Sequence, residues 1–163
     1  MTRILVIEDN AANMKLIIRV VQNAGHTVLC AVDAETGLTL ARTGQPDLIL
    51  MDIVLPGMDG LAATTLLKTD PTTAAIPIIA LSAMLTKNDQ EEAITAGCDA
   101  YIAKPFHTWE LNAAIEDLLK AAIDALVLKS GPHTATAGPD TKHQTNDRAR
   151  TPVQTRPVTA IAA

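Results

Sequence analysis

Five short apolar runs, Ile4 to Ile7, Thr27 to Ala31, Leu48 to Met51, Ile78 to Leu81 and Tyr101 to Ala103, alternate with amphipathic segments near 11–24, 34–43, 59–69, 87–96 and 108–128. Unbroken runs this short read as strands covered on both faces. Strands separated by helices must be joined by crossovers, so the expected class is α/β with a doubly wound, mainly parallel sheet. Local punctuation agrees. Gly25, Gly44 and Gly97 follow helical segments at the usual stop position, and Pro77 falls where the fourth strand begins, a place that tolerates a missing N–H. In the last helix Leu111, Ile115, Leu118, Ala122 and Leu126 share one face, a stripe expected to be buried against the sheet.

This alternation fills residues 1–129, read as one domain, and then stops. Residues 130–163 contain four prolines, many threonines and almost no apolar periodicity, so they are expected to form a disordered tail: too little surface can be buried to offset the entropy of ordering. Aromatic residues make up only 2% of the chain against 48% hydrophobic overall, which leaves the core to Ile, Leu, Val, Ala and Met. The domain carries 9 basic and 16 acidic side chains, and the tail 4 and 2. An acidic domain repels phosphate backbones, which argues against direct nucleic-acid binding. No apolar run approaches the roughly 20 residues of a membrane span, and the N-terminus lacks the pattern of a signal peptide, so a cytoplasmic protein is expected. Cys30 and Cys98 have no second Cys or nearby His with which to hold a metal and read as ordinary semi-buried thiols.

In open parallel sheets, ligands bind beyond the carboxyl ends of the strands. Here the first strand ends in Glu8 and Asp9, the third in Asp52, the fourth in Ser82 and the fifth in Lys104 followed by Pro105. Three crowded carboxylates raise one another's pKa values unless a cation intervenes. Magnesium fits, because it is hard, prefers oxygen and binds through a few carboxylates plus phosphate oxygens. Glu8, Asp9 and Asp52 are the expected ligands, and the backbone carbonyl of Val54 is a further candidate. With Lys104 as counter-charge and Ser82 as hydroxyl donor, Asp52 is suited to attack phosphorus and become an aspartyl phosphate. A plain structural role competes for each residue taken singly. Asp9 or Asn10, for instance, would equally cap the helix that follows. Acid pair, aspartate, hydroxyl and lysine at successive strand ends are harder to explain that way.

The segments VIEDN (6–10), LILMDIVLPGMDG (48–60), IIALSA (78–83) and AYIAKPF (100–106) make the chain resemble the receiver domain of two-component response regulators across residues 3 to about 125. EDNAANMKL, with the rest of the domain, also looks like the single-domain cell-division regulators of the DivK type. The resemblance implies a flavodoxin-like (βα)5 sheet in the order 2-1-3-4-5, magnesium, and phosphotransfer to Asp52 from a sensor histidine kinase or histidine phosphotransferase. It implies a switch in which Ser82 moves toward the phosphate and Tyr101 changes rotamer, and a Lys104–Pro105 bond that is cis. It places the donor on the first helix, with Asn13, Met14, Ile17 and Val21, whose apolar members also read as partly core so that the exposed one is left open, and the protein target on the face of the fourth helix, fifth strand and fifth helix. Val54 and Met84 occupy the positions that tune dephosphorylation, and neither can orient a water, so a long-lived phosphate is expected.

Such a chain is expected to be a switch with no output enzyme of its own, signalling through protein binding. An aspartate-dependent phosphatase would need a second aspartate two residues after Asp52, where Val54 stands. A flavin carrier would set a cofactor phosphate against clustered acids with almost no aromatic residues to stack on. An unphosphorylated scaffold of the same fold is the remaining alternative.

Overall fold

A computed structural model describes residues 1–83 and 86–131. Five strands alternate with five helices: β1 (Arg3–Ile7), α1 (Ala11–Asn23), β2 (Thr27–Ala31), α2 (Ala34–Gly44), β3 (Leu48–Asp52), α3 (Gly60–Thr69), β4 (Ile78–Ser82), α4 (Lys87–Ala96), β5 (Ala100–Ala103) and α5 (Thr108–Lys129). All pairings are parallel, in the order β2-β1-β3-β4-β5. This is the (βα)5 flavodoxin-like sheet that the sequence led us to expect.

The two sides of each strand build two cores. Leu5, Ile7, Ile49, Met51 and Ile78 point to the side where α2 and α3 supply Leu38, Ala41, Ala63 and Leu67. Ile4, Val6, Leu48, Leu50, Ile79 and Leu81 point to the other, where α1 and α5 supply Met14, Ile17, Val20, Val21, Leu111 and Ile115. The period-two alternation explains why β1, β3 and β4 lack polar interior residues: with helices on both sides, neither set of side chains meets water. β3 and β4 are buried at every position, whereas the edge strands β2 and β5 are only partly covered.

Each helix start is capped by a nearby polar group. Asn10 accepts from the amides of Ala12 and Asn13, Asp33 from Thr36, and Asp59 from Ala62. Thr86 and Asp89 cap each other's amides at α4, and the Glu110 side chain accepts from the His107 amide at α5. Asn10, not Asp9, is thus the cap of α1, which leaves the Asp9 carboxylate out of that role.

Three expectations need correction. Gly25 and Gly97 do adopt the left-handed conformation just beyond α1 and α4, but Gly44 is the last residue of α2, and the left-handed residue is Gln45. The apolar stripe of α5 is buried only at Leu111 and Ile115, with Leu118 and Ala122 half-covered and Leu126 64% exposed. The reason is length. A helix of 22 residues is about 33 Å long and the strands it packs on span about 17 Å, so its last turns have no sheet beneath them. Of the two thiols expected to be semi-buried, Cys98 is, whereas Cys30 is exposed because it lies on edge strand β2. Of the tail expected to be disordered, residues 132–163 lie outside the described residues, as does Met84. Among the described residues, no helix is long and apolar enough to cross a membrane.

Candidate functional site

The carboxyl ends of β1, β3, β4 and β5 meet at one edge of the sheet, because β1 and β4 flank β3 and β5 follows β4. Glu8 leaves β1, its amide bound to the Ala31 carbonyl at 3.0 Å. Asp52 is the last residue of β3, and Ser82, on β4, lies beside Ala103 of β5. The strand order, set by burial of the apolar runs, therefore brings together groups 44 and 96 residues away from Glu8 in sequence.

Glu8 is 1% exposed and Asp52 5%, a burial that two carboxylates tolerate only with compensation. Lys104 supplies it. Its Nζ donates to Glu8 Oε2 at 2.6 Å and to Asp52 Oδ2 at 3.0 Å, and its own amide donates to the Ser82 carbonyl at 2.7 Å. The other carboxylate oxygens take backbone donors: the Asn10 amide reaches Glu8 Oε1 and the Val54 amide Asp52 Oδ1, each at 3.0 Å. The Lys104–Pro105 peptide bond is cis, as expected.

Burial pushes the Glu8 carboxyl up, but the Lys104 ammonium and the Asn10 amide outweigh it, and Glu8 lies below the usual carboxylate range. For Asp52 burial wins: with the Glu8 charge added, it holds the carboxyl above its ordinary value despite Lys104 and the Val54 amide. Burial lowers Lys104, yet its bonds to Glu8 and Asp52 leave it raised.

Asp9 is exposed at the mouth of this pocket. One carboxylate oxygen from each of Glu8, Asp9 and Asp52 lies within 4.8 Å of the others. Three hard oxygen donors so disposed fit magnesium, and any soft or imidazole-seeking metal would find no sulfur or nitrogen among them. Val54, 58% exposed, stands at the rim, its amide committed to Asp52.

Two openings flank the carboxylates. One, of about 60 Å³, is lined by Ser82 and Tyr101 together with Ile53, Leu61, Asp89 and Glu92. The other, of about 300 Å³, is lined by Asn13, Leu16, Ala83, Lys104, Pro105 and Phe106. Of the α1 residues expected to meet a donor, Met14, Ile17 and Val21 are buried in the core, and only Asn13 lines this opening. Leu16, which the sequence reading missed, lies 45% exposed beside it. Its signal was present in the helical period, where it falls off the buried stripe.

Comparison with known proteins agrees with this geometry. The profile of the response regulator receiver domain matches residues 4–116. The polar-differentiation response regulator DivK of Brucella anthropi is 42% identical over 102 residues, which cover 63% of this chain and 83% of that protein, and the Brucella abortus DivK matches equally. The receiver domain of sensor histidine kinase PA1611 from Pseudomonas aeruginosa, solved with magnesium coordinated in its active-site cleft, superposes with a TM-score of 0.69 at 33% identity, covering 73% of this chain and 98% of that one. A CheY-like receiver domain from Methanospirillum hungatei gives 0.72 at 25% identity, covering 77% and 98%. With a profile match over most of its length, and acids, lysine and hydroxyl at the expected strand ends, this chain belongs to the response regulator receiver domain family.

Proposed function

We propose that the protein is a phosphorylation switch in which Asp52 accepts a phosphoryl group from a phosphohistidine donor, a sensor histidine kinase or a histidine phosphotransferase. The observation that carries this reading is the convergence of Glu8, Asp9 and Asp52 with Lys104 bridging the two buried acids. In the transfer an Asp52 carboxylate oxygen bonds to phosphorus as the P–N bond to the donor imidazole breaks, and the imidazole keeps that electron pair. Magnesium, held by Glu8, Asp9, Asp52 and the Val54 carbonyl, would neutralise charge on the phosphoryl oxygens. The magnesium-bearing receiver domain from Pseudomonas aeruginosa supports that assignment. Lys104 would exchange its bond with Asp52 for one with a phosphoryl oxygen while keeping Glu8, a role that its bonds to both acids support. The 300 Å³ opening beside α1 and Lys104 offers the donor its approach.

Once phosphorylated, Asp52 gains charge and acceptors that draw the Ser82 hydroxyl, and Tyr101, which lines the same small opening as Ser82, follows by a change of rotamer. The output is protein binding on the face of α4, β5 and α5, and the likeness to DivK supports a role in control of cell division. On this reading residues 1–129 form the functional unit, and the protein is not an enzyme with a substrate of its own. Val54 at the rim, and Met84, which lies outside the described residues, offer no polar side-chain atom to orient a hydrolytic water. The phosphate is therefore long-lived, and a half-life of seconds for the isolated protein with magnesium would contradict this. The deciding experiment is intact-protein mass after incubation with acetyl phosphate, with and without magnesium, for wild type and Asp52→Asn. One added phosphoryl group that requires both magnesium and Asp52 is the expected result. A wild type that stays unmodified with acetyl phosphate and with a panel of phosphohistidine donors would overturn the reading.

A further inference from the structure

We infer that Gly60, the first residue of α3, is a positioning residue for the Asp52 strand end, and that it is a glycine for steric rather than conformational reasons. Its backbone angles are not those that call for glycine, unlike Gly57 with φ of 75° in the preceding loop. What demands glycine is the approach of α3 to β3. A methyl group on Gly60 would lie 2.1 Å from the Asp52 carbonyl oxygen, 2.8 Å from Ile53 Cα and 2.9 Å from the Asp52 carbonyl carbon. All three are backbone atoms, so no rotamer change relieves the overlap.

Both sides of this contact are tied down. Asp52 is paired with Leu81 in the sheet, and the Ile53 amide donates to the Leu81 carbonyl at 3.0 Å. On the helix side, the Gly60 amide donates to the Ile53 carbonyl at 2.9 Å, and the buried Thr64 hydroxyl donates to the Gly60 carbonyl at 2.8 Å. Ala63 and Leu67 anchor α3 in the core, so the helix cannot retreat as a body without opening a void. The strand end has fewer restraints beyond Ile53: residues 53–59 form no strand or helix. A side chain at position 60 therefore displaces residues 52–54, where the Val54 amide holds Asp52 Oδ1 and the Val54 carbonyl is the candidate fourth ligand. The consequence for chemistry rests on the function proposed above, whereas the displacement itself does not.

The test compares Gly60→Ala with Gly44→Ala. A methyl group on Gly44 would press on the flexible end of Leu29 at 2.6 Å, near the start of β3 and away from the carboxylates, so it strains packing without touching the site. In metal-free protein, Gly60→Ala is expected to shift the backbone amide resonances of Ile53 and Val54, while Gly44→Ala leaves them in place. With magnesium, Gly60→Ala is expected to lower both metal affinity, measured by calorimetry, and the rate of phosphorylation by acetyl phosphate by about ten- to a hundredfold, the scale of a misplacement near 1 Å. Gly44→Ala should change neither. Unmoved Ile53 and Val54 resonances in Gly60→Ala, or resonances moved as much by Gly44→Ala, would overturn the inference. If Gly60→Ala does not fold, Thr64→Val, which removes only the hydroxyl that holds the Gly60 carbonyl, should shift the same amides to a smaller degree, and no shift there overturns it. A wild type that takes neither magnesium nor phosphate refutes the proposed function, and the metal-free resonances then decide this inference alone.

Discussion

Lys104→Met removes one charge from a buried group of three and keeps all but the last atom of the side chain's length. Wild type holds Lys104 within 2.6 Å of Glu8 and 3.0 Å of Asp52, with side-chain exposures of 16%, 0% and 7% respectively. Breaking a buried ion pair by removing one partner leaves an uncompensated charge and destabilises by about 3–5 kcal/mol. Because Lys104 has some access to water, the lower end applies, about 3 kcal/mol. Against a domain stability of about 5–15 kcal/mol this is a large fraction. The loss must depend on pH. Without Lys104, burial and mutual repulsion raise both folded carboxyls above their unfolded values of about 4.3 for Glu and 3.9 for Asp. A raised carboxyl destabilises the fold above its folded pKa, and the penalty fades as pH falls through that value and the group takes up its proton. Urea denaturation followed by far-ultraviolet circular dichroism, in chelator at pH 8 and pH 5, reads this directly. With a slope of about 2 kcal/mol per molar, the midpoint at pH 8 should fall by about 1.5 M. The fall should be smaller at pH 5. A loss below about 0.5 kcal/mol at pH 8, the size of an ordinary surface change, or equal losses at both pH values, would refute the charge-compensation argument.

The opposite change should have the opposite sign. Burial raises the Asp52 carboxyl in the folded state, so above that pKa its charge destabilises the metal-free protein, and Asp52→Asn should raise stability at pH 7 by about 0.5–2 kcal/mol, measured by urea midpoint; a lowered midpoint would contradict this. Burial pushes the Cys98 thiol up to about 11, so at pH 8 only about one molecule in a thousand carries the thiolate, and peptide mapping after iodoacetamide should find exposed Cys30 alkylated well before Cys98, with equal rates refuting it. On α5, Ile115→Ala should lose about 2–5 kcal/mol in the same denaturation assay, while Leu126→Ala should stay within about 0.5 kcal/mol, since only Ile115 lies in the core.

Much of this molecule was legible in its linear order. The five apolar runs became five strands with ends displaced by one residue at most, because a buried parallel strand cannot carry polar side chains on either face. The residues of the site were legible for a related reason: a charge at the end of an apolar run demands compensation, and only Lys104 stood at a matching strand end. The sequence reading failed where a property depends on what lies opposite. Helical period alone extended the α5 stripe to Leu126, yet burial there requires sheet beneath the helix, and the sheet had ended. On α1 the sequence read Met14, Ile17 and Val21 as partly core and left open which apolar residue is exposed; all three face the core, and Leu16 is the one exposed beside the opening.

By itself the sequence determined the α/β class, the alternation of elements and the chemistry gathered at the strand ends, because these depend on periodicity and residue type, which are local. Only the tertiary structure decided that Lys104 bridges Glu8 and Asp52, that Asn10 rather than Asp9 caps α1, and that Gly60 must lack a side chain. Each of these is a distance between atoms far apart in the chain or a choice between neighbouring groups, and such distances exist only once the strands have packed.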